Sequence, residues 1–318
     1  MKKYLVILLL ASCTSAPGKP GRQQQAALAK AGAETTFKLH LAPAAGSTYS
    51  YDITNRSETE LEVDGGEVST INRTTVGMSY SIDKDSAGNF LMHMQYGKIQ
   101  LYTKNGKVET EMDASNASAS FDPVEKMLGM IKDAKIVTTI SPKGEVKAVG
   151  GYKELTDKIL ASLNTTDGEV RRVAQNQWEQ FVGEGVIKKN IDQLFKIFPD
   201  SAVAVGDKWK LASDQKGQIS FRVFSNYTLQ SIKDGIAIVT AEGEVNSNNA
   251  TVDINGMSVT SDLKGKQQGK YEIEAATGML ISSTITSKIS GSLQIMGRDV
   301  PATIENTVKI NGRRTSSL

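Results

Sequence analysis

Cysteine, histidine, tryptophan and an excess of either charge are what this chain has least of. Its 318 residues hold one cysteine, two histidines and two tryptophans. A single cysteine excludes an internal disulfide, so the fold must rest on its own core, and the length is ample for one. The histidines, His40 and His93, lie far apart in sequence and offer no ligand set for a zinc site. Lysine plus arginine number 37 against 35 aspartate plus glutamate, and two of those lysines, Lys2 and Lys3, sit in an acid-free leading segment, so the remainder is formally neutral. A neutral chain lacks the basic patch that nucleic-acid binding requires and offers no polybasic supplement to a membrane anchor. No apolar run reaches the ~20 residues a membrane-crossing helix needs.

What the chain does have begins at its start. Lys2 and Lys3 precede an apolar stretch from Leu5 to Leu10, and Leu10-Ala11-Ser12-Cys13 closes it. This is the layout of a secretory signal, and it resembles the bacterial lipobox, in which cleavage before the cysteine leaves it carrying a diacylglycerol thioether. Two other readings exist. An ordinary signal leaves Cys13 as a leftover thiol, and a spanning helix fails because the run is too short. The lipobox accounts for a lone cysteine in an exported protein, which otherwise calls for explanation. Residues 1–12 are therefore expected to be a signal peptide, Cys13 the lipidation site and the membrane the partner of its acyl chains. By resemblance to proteobacterial lipoproteins, Thr14 where an Asp would favour the inner membrane leans toward the outer membrane, facing the periplasm. Residues 13–34, with Pro17, Gly18, Pro20, Gly21 and the run Gln23-Gln24-Gln25, read as a flexible tether.

From Phe37 the apolar period becomes two. Tyr49, Tyr51 and Ile53 alternate with polar residues, as do Met78, Tyr80 and Ile82, and Phe90, Met92, Met94 and Tyr96; this is the strand signature. Asp64-Gly65-Gly66, Asp85 to Asn89, and Asn105-Gly106 separate the runs, and Asn-Gly or Asp-Gly between alternating runs marks a hairpin. After Pro199 the same period returns, with Asp234-Gly235, Asn255-Gly256 and Thr277-Gly278 as turns. The two halves are loosely alike. Gly46-Ser47-Thr48-Tyr49 opens one meander and Gly206-Asp207-Lys208-Trp209 the other, which suggests a duplicated β unit.

The middle reads as helical. Asp122-Pro123-Val124-Glu125 has the cap, proline and acid of a helix start. Tyr152, Leu155, Ile159 and Leu163 then share a helical face, as do Val170, Val173, Ala174 and Phe181, and Ile187, Ile191, Leu194, Phe195 and Phe198. The expected fold is β-rich α+β: long antiparallel meanders forming one or two curved sheets or half-barrels, with a central helical insertion. Residues 35–148 form an N-terminal antiparallel β unit with a short helix, 149–199 the helical insertion and 200–314 a C-terminal antiparallel β unit.

Phe198-Pro199 through Val205-Gly206-Asp207-Lys208-Trp209, the Gly46 to Tyr51 meander start and the Tyr271 to Gly278 turn together resemble the domain-of-unknown-function family 6263 of uncharacterised bacterial lipoproteins. The resemblance covers most of residues 37–310. It implies the β-rich fold, the anchor and the lack of an obvious active site, and it carries no functional residues onto this chain.

A search for chemistry returns little. Asp83-Lys84-Asp85-Ser86-Ala87-Gly88 opens like a calcium loop, but Ala87 and Met94 replace its fifth and twelfth ligands. No serine stands in a nucleophile elbow. Glu58/Glu60 and Glu242/Glu244 share strand faces, where solvated charge is the ordinary reading. No phosphate-binding loop is present, and no catalytic residue, metal or cofactor is assigned. Apolar shape remains. Met78, Tyr80, Phe90, Met92, Met94 and Tyr96, with Trp178 and Phe181 from the helices, are either plain core or the lining of a cavity between sheet and helical lid. Methionines suit a variable acyl ligand. The expectation is a non-enzymatic, lipid-anchored envelope protein that binds an apolar ligand or envelope component. Alternatives are a lipid or lipoprotein carrier, by analogy with half-open barrels of the LolA/LolB type, and an assembly accessory whose edge strands pair with a partner protein.

Overall fold

The computed structural model describes residues 35–316 except 121–122, 163–166, 169–170, 173–174, 176–183, 216–218, 248, 250 and 255–256. The signal, the tether, and the expected site residues Trp178 and Phe181 lie outside the described residues. So do Asp122, Leu163 and the helical face built on Val170, Val173 and Ala174.

The alternating segments form β1 (Thr48–Val63), β2 (Gly66–Lys84), β3 (Phe90–Asn105), β4 (Val108–Asp113), β5 (Ile136–Ile140) and β6 (Val146–Gly150). After the helical region come β7 (Lys208–Gln215), β8 (Phe221–Lys233), β9 (Ile236–Ser247), β10 (Thr251–Ile254), β11 (Met257–Glu274), β12 (Leu280–Ile295) and β13 (Arg298–Ser316). All belong to one antiparallel sheet, ordered β6-β5-β3-β2-β1-β13-β12-β11-β9-β8-β7, with β4 on β3 and β10 on β11. Of the two arrangements open from the sequence, one sheet rather than two is the outcome. First and last strands pair, so the N- and C-terminal meanders are joined through β1 and β13. The order ends at β6 and β7, and the sheet is open there.

Turn chemistry sets the register. Asp64-Gly65 and Asp234-Gly235 both have positive φ at each position and close two-residue hairpins between Val63 and Gly66 and between Lys233 and Ile236. That conformation matches the twist of the flanking strands. Met296-Gly297 makes a third such turn, which no Asn or Asp announces.

The chain between β4 and β7 carries α1 (Pro123–Lys132), α2 (Tyr152–Ser162) and α3 (Glu184–Phe195), with α2 and α3 in the expected insertion. Leu155 and Ile159 of α2 and Ile187, Ile191, Leu194 and Phe195 of α3 are buried in the larger apolar cluster. That cluster also takes in Tyr49 and Tyr51 of β1, Met92 and Met94 of β3, Tyr227 of β8, Tyr271 of β11 and Ile310 of β13. The segment before β1 crosses the sheet end: Phe37 pairs with Val203, the Leu41 amide donates to the Pro142 carbonyl at 2.9 Å, and the Ala42 amide donates to the Thr277 carbonyl at 2.7 Å. The Trp209 indole N–H donates to the Ile197 carbonyl at 3.0 Å and ties β7 to the end of the helical region.

Among the described residues, a second apolar cluster contains no helical residue. It consists of Leu61, Ile219, Phe221, Val223, Val245, Val259, Leu263, Ile289, Leu293, Val300, Ala302 and Ile304. Apart from Ile219, which precedes β8, these residues lie farther along the same long strands and in the same side-chain phase as the first cluster. In β13, for example, Ile304 belongs to the second and Val308 and Ile310 to the first.

Candidate ligand-binding interior

Between the two clusters the buried phase of the strands turns polar. In β1 the inward sequence runs Tyr49, Tyr51, Ile53, Asn55, Ser57, Thr59, Leu61, so three polar residues separate apolar ends. Strand register aligns that interruption with its neighbours. Thr103 of β3 faces Asn72 of β2 and Asn72 faces Ser57 of β1. Ser57 faces Asn306 of β13, Asn306 faces Ser287 of β12, and Ser287 faces Gln267 of β11. Gln267 faces Gly243 of β9, which faces Ser225 of β8. The row thus crosses the sheet on one level. Asn72, Ser57, Asn306, Ser287, Gln267 and Ser225 are all less than a tenth exposed.

Buried polar groups normally find partners, and one left without costs about 1–3 kcal/mol. Thr103 satisfies part of the row by donating its hydroxyl to Asn72 Oδ1 at 3.0 Å. Ser57 Oγ, Ser287 Oγ and Asn306 Oδ1 have no protein partner, and neither do Asn55 Oδ1, Thr59 Oγ1 and Ser213 Oγ beside the row or Ser283 Oγ farther along β12. The belt carries hydroxyls and amides and no charged side chain. It can donate and accept hydrogen bonds.

Of the residues expected to line a cavity, six are described. Met78 and Tyr80 of β2 face Tyr96 and Met94 of β3 in register, and all six, including Phe90 and Met92, are buried in the larger cluster with Leu128 and Ile131 of α1. The Tyr80 hydroxyl donates to Met78 Sδ at 2.8 Å, and the Tyr80 and Tyr51 rings meet edge-on at 5.8 Å. Desolvation pushes the Tyr51 and Tyr80 phenols well above their ordinary range and Tyr96 up to about 12. On the opposite side of the cluster, Trp209 stacks on Tyr227 at 5.6 Å, and Tyr227 tilts against Tyr271 at 5.9 Å.

The other candidates sit on the solvent side. Glu58 pairs with Arg56 at 2.8 Å, and Glu242 and Glu244 are exposed. His93 Nε2 lies 3.2 Å from Asp83 Oδ2, with both side chains exposed. Asp85 accepts from the Ala87 and Asn89 amides and from Asn89 Nδ2, at 2.8–2.9 Å, so its oxygens serve the turn that joins β2 to β3. Those hydrogen bonds, led by the Asn89 side chain, hold its carboxyl below the usual carboxylate range. Among the described residues no group of three His, Cys, Asp or Glu side chains is placed to hold a metal ion, and no helix is long and apolar enough to cross a membrane.

The model of DUF6263, a family of unknown function, matches residues 87–280, more than half of the chain. No curated protein matches the chain. Among solved structures, an outer membrane channel of Pseudomonas putida F1 is similar at 6% identity, covering 86% of this chain and 97% of its own, with a TM-score of 0.24. OccK7 (OpdD) of Pseudomonas aeruginosa follows at 6% identity, covering 85% and 99%, with a TM-score of 0.20. Similarities this low carry no argument about fold or role.

Proposed function

The chain belongs to DUF6263, a family of unknown function, and from that premise, which brings no activity with it, we propose a lipid-anchored, non-enzymatic binding protein of the bacterial cell envelope. Its ligand is apolar or amphipathic and is received on the inner face of the sheet. The observation that supports this most is the burial of that face at the far ends of the strands, in a cluster that holds no helical residue among the described residues. An antiparallel sheet buries a face only against another layer. In this reading the layer is the sheet itself, curled into a half-barrel, with α2 and α3 covering one end. The larger cluster supplies methionines and aromatics, side chains that adapt to acyl chains.

The anchor rests on Cys13, outside the described residues. Two or more acyl chains at about 0.8 kcal/mol per buried CH₂ give stable attachment. Residues 13–34 then let the body stand off an outer membrane, on its periplasmic side.

Native mass spectrometry of protein purified from its own host's envelope tests the reading. Co-purifying lipid is the expected result. A protein free of bound species that takes up no acyl ligand would sink it. A carrier reading is favoured by the same helices over the concave face. It predicts that the purified protein moves a fluorescent lipid between vesicles.

A further inference from the structure

We infer that the polar belt across the sheet is the binding site for the uncharged head of an amphipathic lipid of the acylglycerol class, its acyl chains lying along the two apolar clusters. The inference rests on the binding role proposed above and names the ligand's chemistry.

The position of the belt comes first. Ser57, Asn306, Ser287 and Gln267 stand on four adjacent strands in strict register. On each side of that level the same strands turn apolar, with Leu61, Ile304 and Ile289 toward one end and Tyr51, Val308 and Ile285 toward the other. A ligand with a polar centre and apolar extensions matches that order.

Next is unused hydrogen-bonding capacity. Ser57 Oγ, Ser287 Oγ, Asn306 Oδ1, Asn55 Oδ1 and Thr59 Oγ1 are buried without protein partners. Hydroxyls can donate to ester carbonyls and accept from glycerol hydroxyls, and the Asn carbonyl oxygens accept from the latter. Interior water can satisfy such groups as well, and the test separates the two.

Charge selects among lipids. The row holds no Lys, Arg, Asp, Glu or His. A carboxylate or phosphate brought to this level would be buried without a counter-charge, which is strongly unfavourable. A neutral glycerol ester carries no such penalty.

The test uses the full chain purified in mild detergent and two probes that share one acyl chain, 1-monooleoylglycerol and oleate at pH 8. Retention is read by native mass spectrometry, and the melting temperature is recorded without ligand. The expected preference for the glycerol ester is about tenfold or more, one hydrogen bond's worth. Ser57→Ala and Asn306→Leu are each expected to lower that preference while raising the melting temperature of the ligand-free protein, because each removes an unpaired buried group. Equal retention of both probes overturns the inference and leaves the binding role standing. Retention of neither overturns both. An unchanged preference in the variants, with a fall in melting temperature, makes the belt a structural water site and overturns the inference.

Discussion

Gly144 and Phe195 are locked together. Gly144, in the turn between β5 and β6, has φ +81°, and a Cβ there would overlap the Phe195 carbonyl at the end of α3. The hairpin can receive the helix end only because this residue has no side chain. Gly144→Ala therefore meets two costs: about 1–2 kcal/mol for a left-handed L-residue and about 1–3 kcal/mol for overpacking. Gly88→Ala is the control. Its φ is also +81°, and nothing lies within 4 Å of the added Cβ, so it carries the backbone cost alone. Thermal melts of the two variants should separate, with Gly144→Ala the lower. Equal melting temperatures would mean that the α3 contact is not part of the cooperative fold.

The buried tyrosines make the fold sensitive to alkali. Tyr96 is pushed up to about 12 by desolvation, and burial raises Tyr51 and Tyr80 as well, against about 10 in an unfolded chain. Between pH 10 and 12 the unfolded state loses these protons and the folded state keeps them. The tyrosine contribution to stability is constant below pH 10 and falls above it, by about 1.4 kcal/mol per pH unit for each tyrosine. Absorbance of phenolate at 295 nm should show a step coinciding with loss of circular dichroism, and Tyr96→Phe should make the pH dependence shallower by about a third. Smooth ionisation of every tyrosine near pH 10 with the fold intact would contradict this.

Trp209 holds β7 by two means, the hydrogen bond to the Ile197 carbonyl and the stack on Tyr227. Trp209→Phe keeps an aromatic ring and removes the donor, leaving a carbonyl unpaired at a cost of about 1–2 kcal/mol. Hydrogen exchange should accelerate at the end of α3 and in β7 and remain slow in β13. Uniform acceleration across the sheet would mean the bond is not a local tie.

Much of this architecture is legible from residue types. Alternation marks the strands, and Asp64-Gly65 and Asp234-Gly235 mark their turns because few other pairs tolerate positive φ twice. The likeness of the two meander starts extends to their hydrogen bonds. The Gly46 amide donates to Ile82 and the Ile82 amide to Ser47, while the Gly206 amide donates to Leu229 and the Leu229 amide to Asp207. The belt was not legible. Each strand alone shows a stray polar residue in its apolar phase, such as Asn306 between Ile304 and Val308. Only pairing over long sequence separations sets Asn306 against Ser57 and Ser287. Likewise, period two identifies Met92 and Tyr80 as inward, but not that they are almost fully buried in one cluster with residues of α1, α2 and α3.

The calcium-like run at Asp83 to Gly88 has a simpler occupation. Asp85 already accepts hydrogen bonds from the turn's own amides, which a cation would have to displace, and Ala87 supplies no side-chain oxygen. Millimolar calcium should leave the melting temperature unchanged, and Asp85→Ala should lower it by loosening the β2–β3 turn. A calcium-dependent rise that Asp85→Ala abolishes would reverse the assignment.

The anchor proposed at Cys13 makes the final prediction. A single thioether-linked diacylglycerol brings two chains, enough for attachment that washing with salt does not reverse, because the attraction is apolar and the formally neutral body adds no ionic component. Wild-type protein should incorporate radiolabelled palmitate and partition with envelope membranes through a high-salt wash. Cys13→Ser should lose the label and leave the precursor uncut. Its apolar segment from Leu5 to Leu10 is too short to span the bilayer, so any residual attachment should be weaker. The folded body should be untouched by this change, so the melting temperature of the detergent-solubilised variant should match the wild type. Export and fractionation unchanged in Cys13→Ser would remove the anchor from the proposed function and leave the interior binding face to be judged by its own experiment.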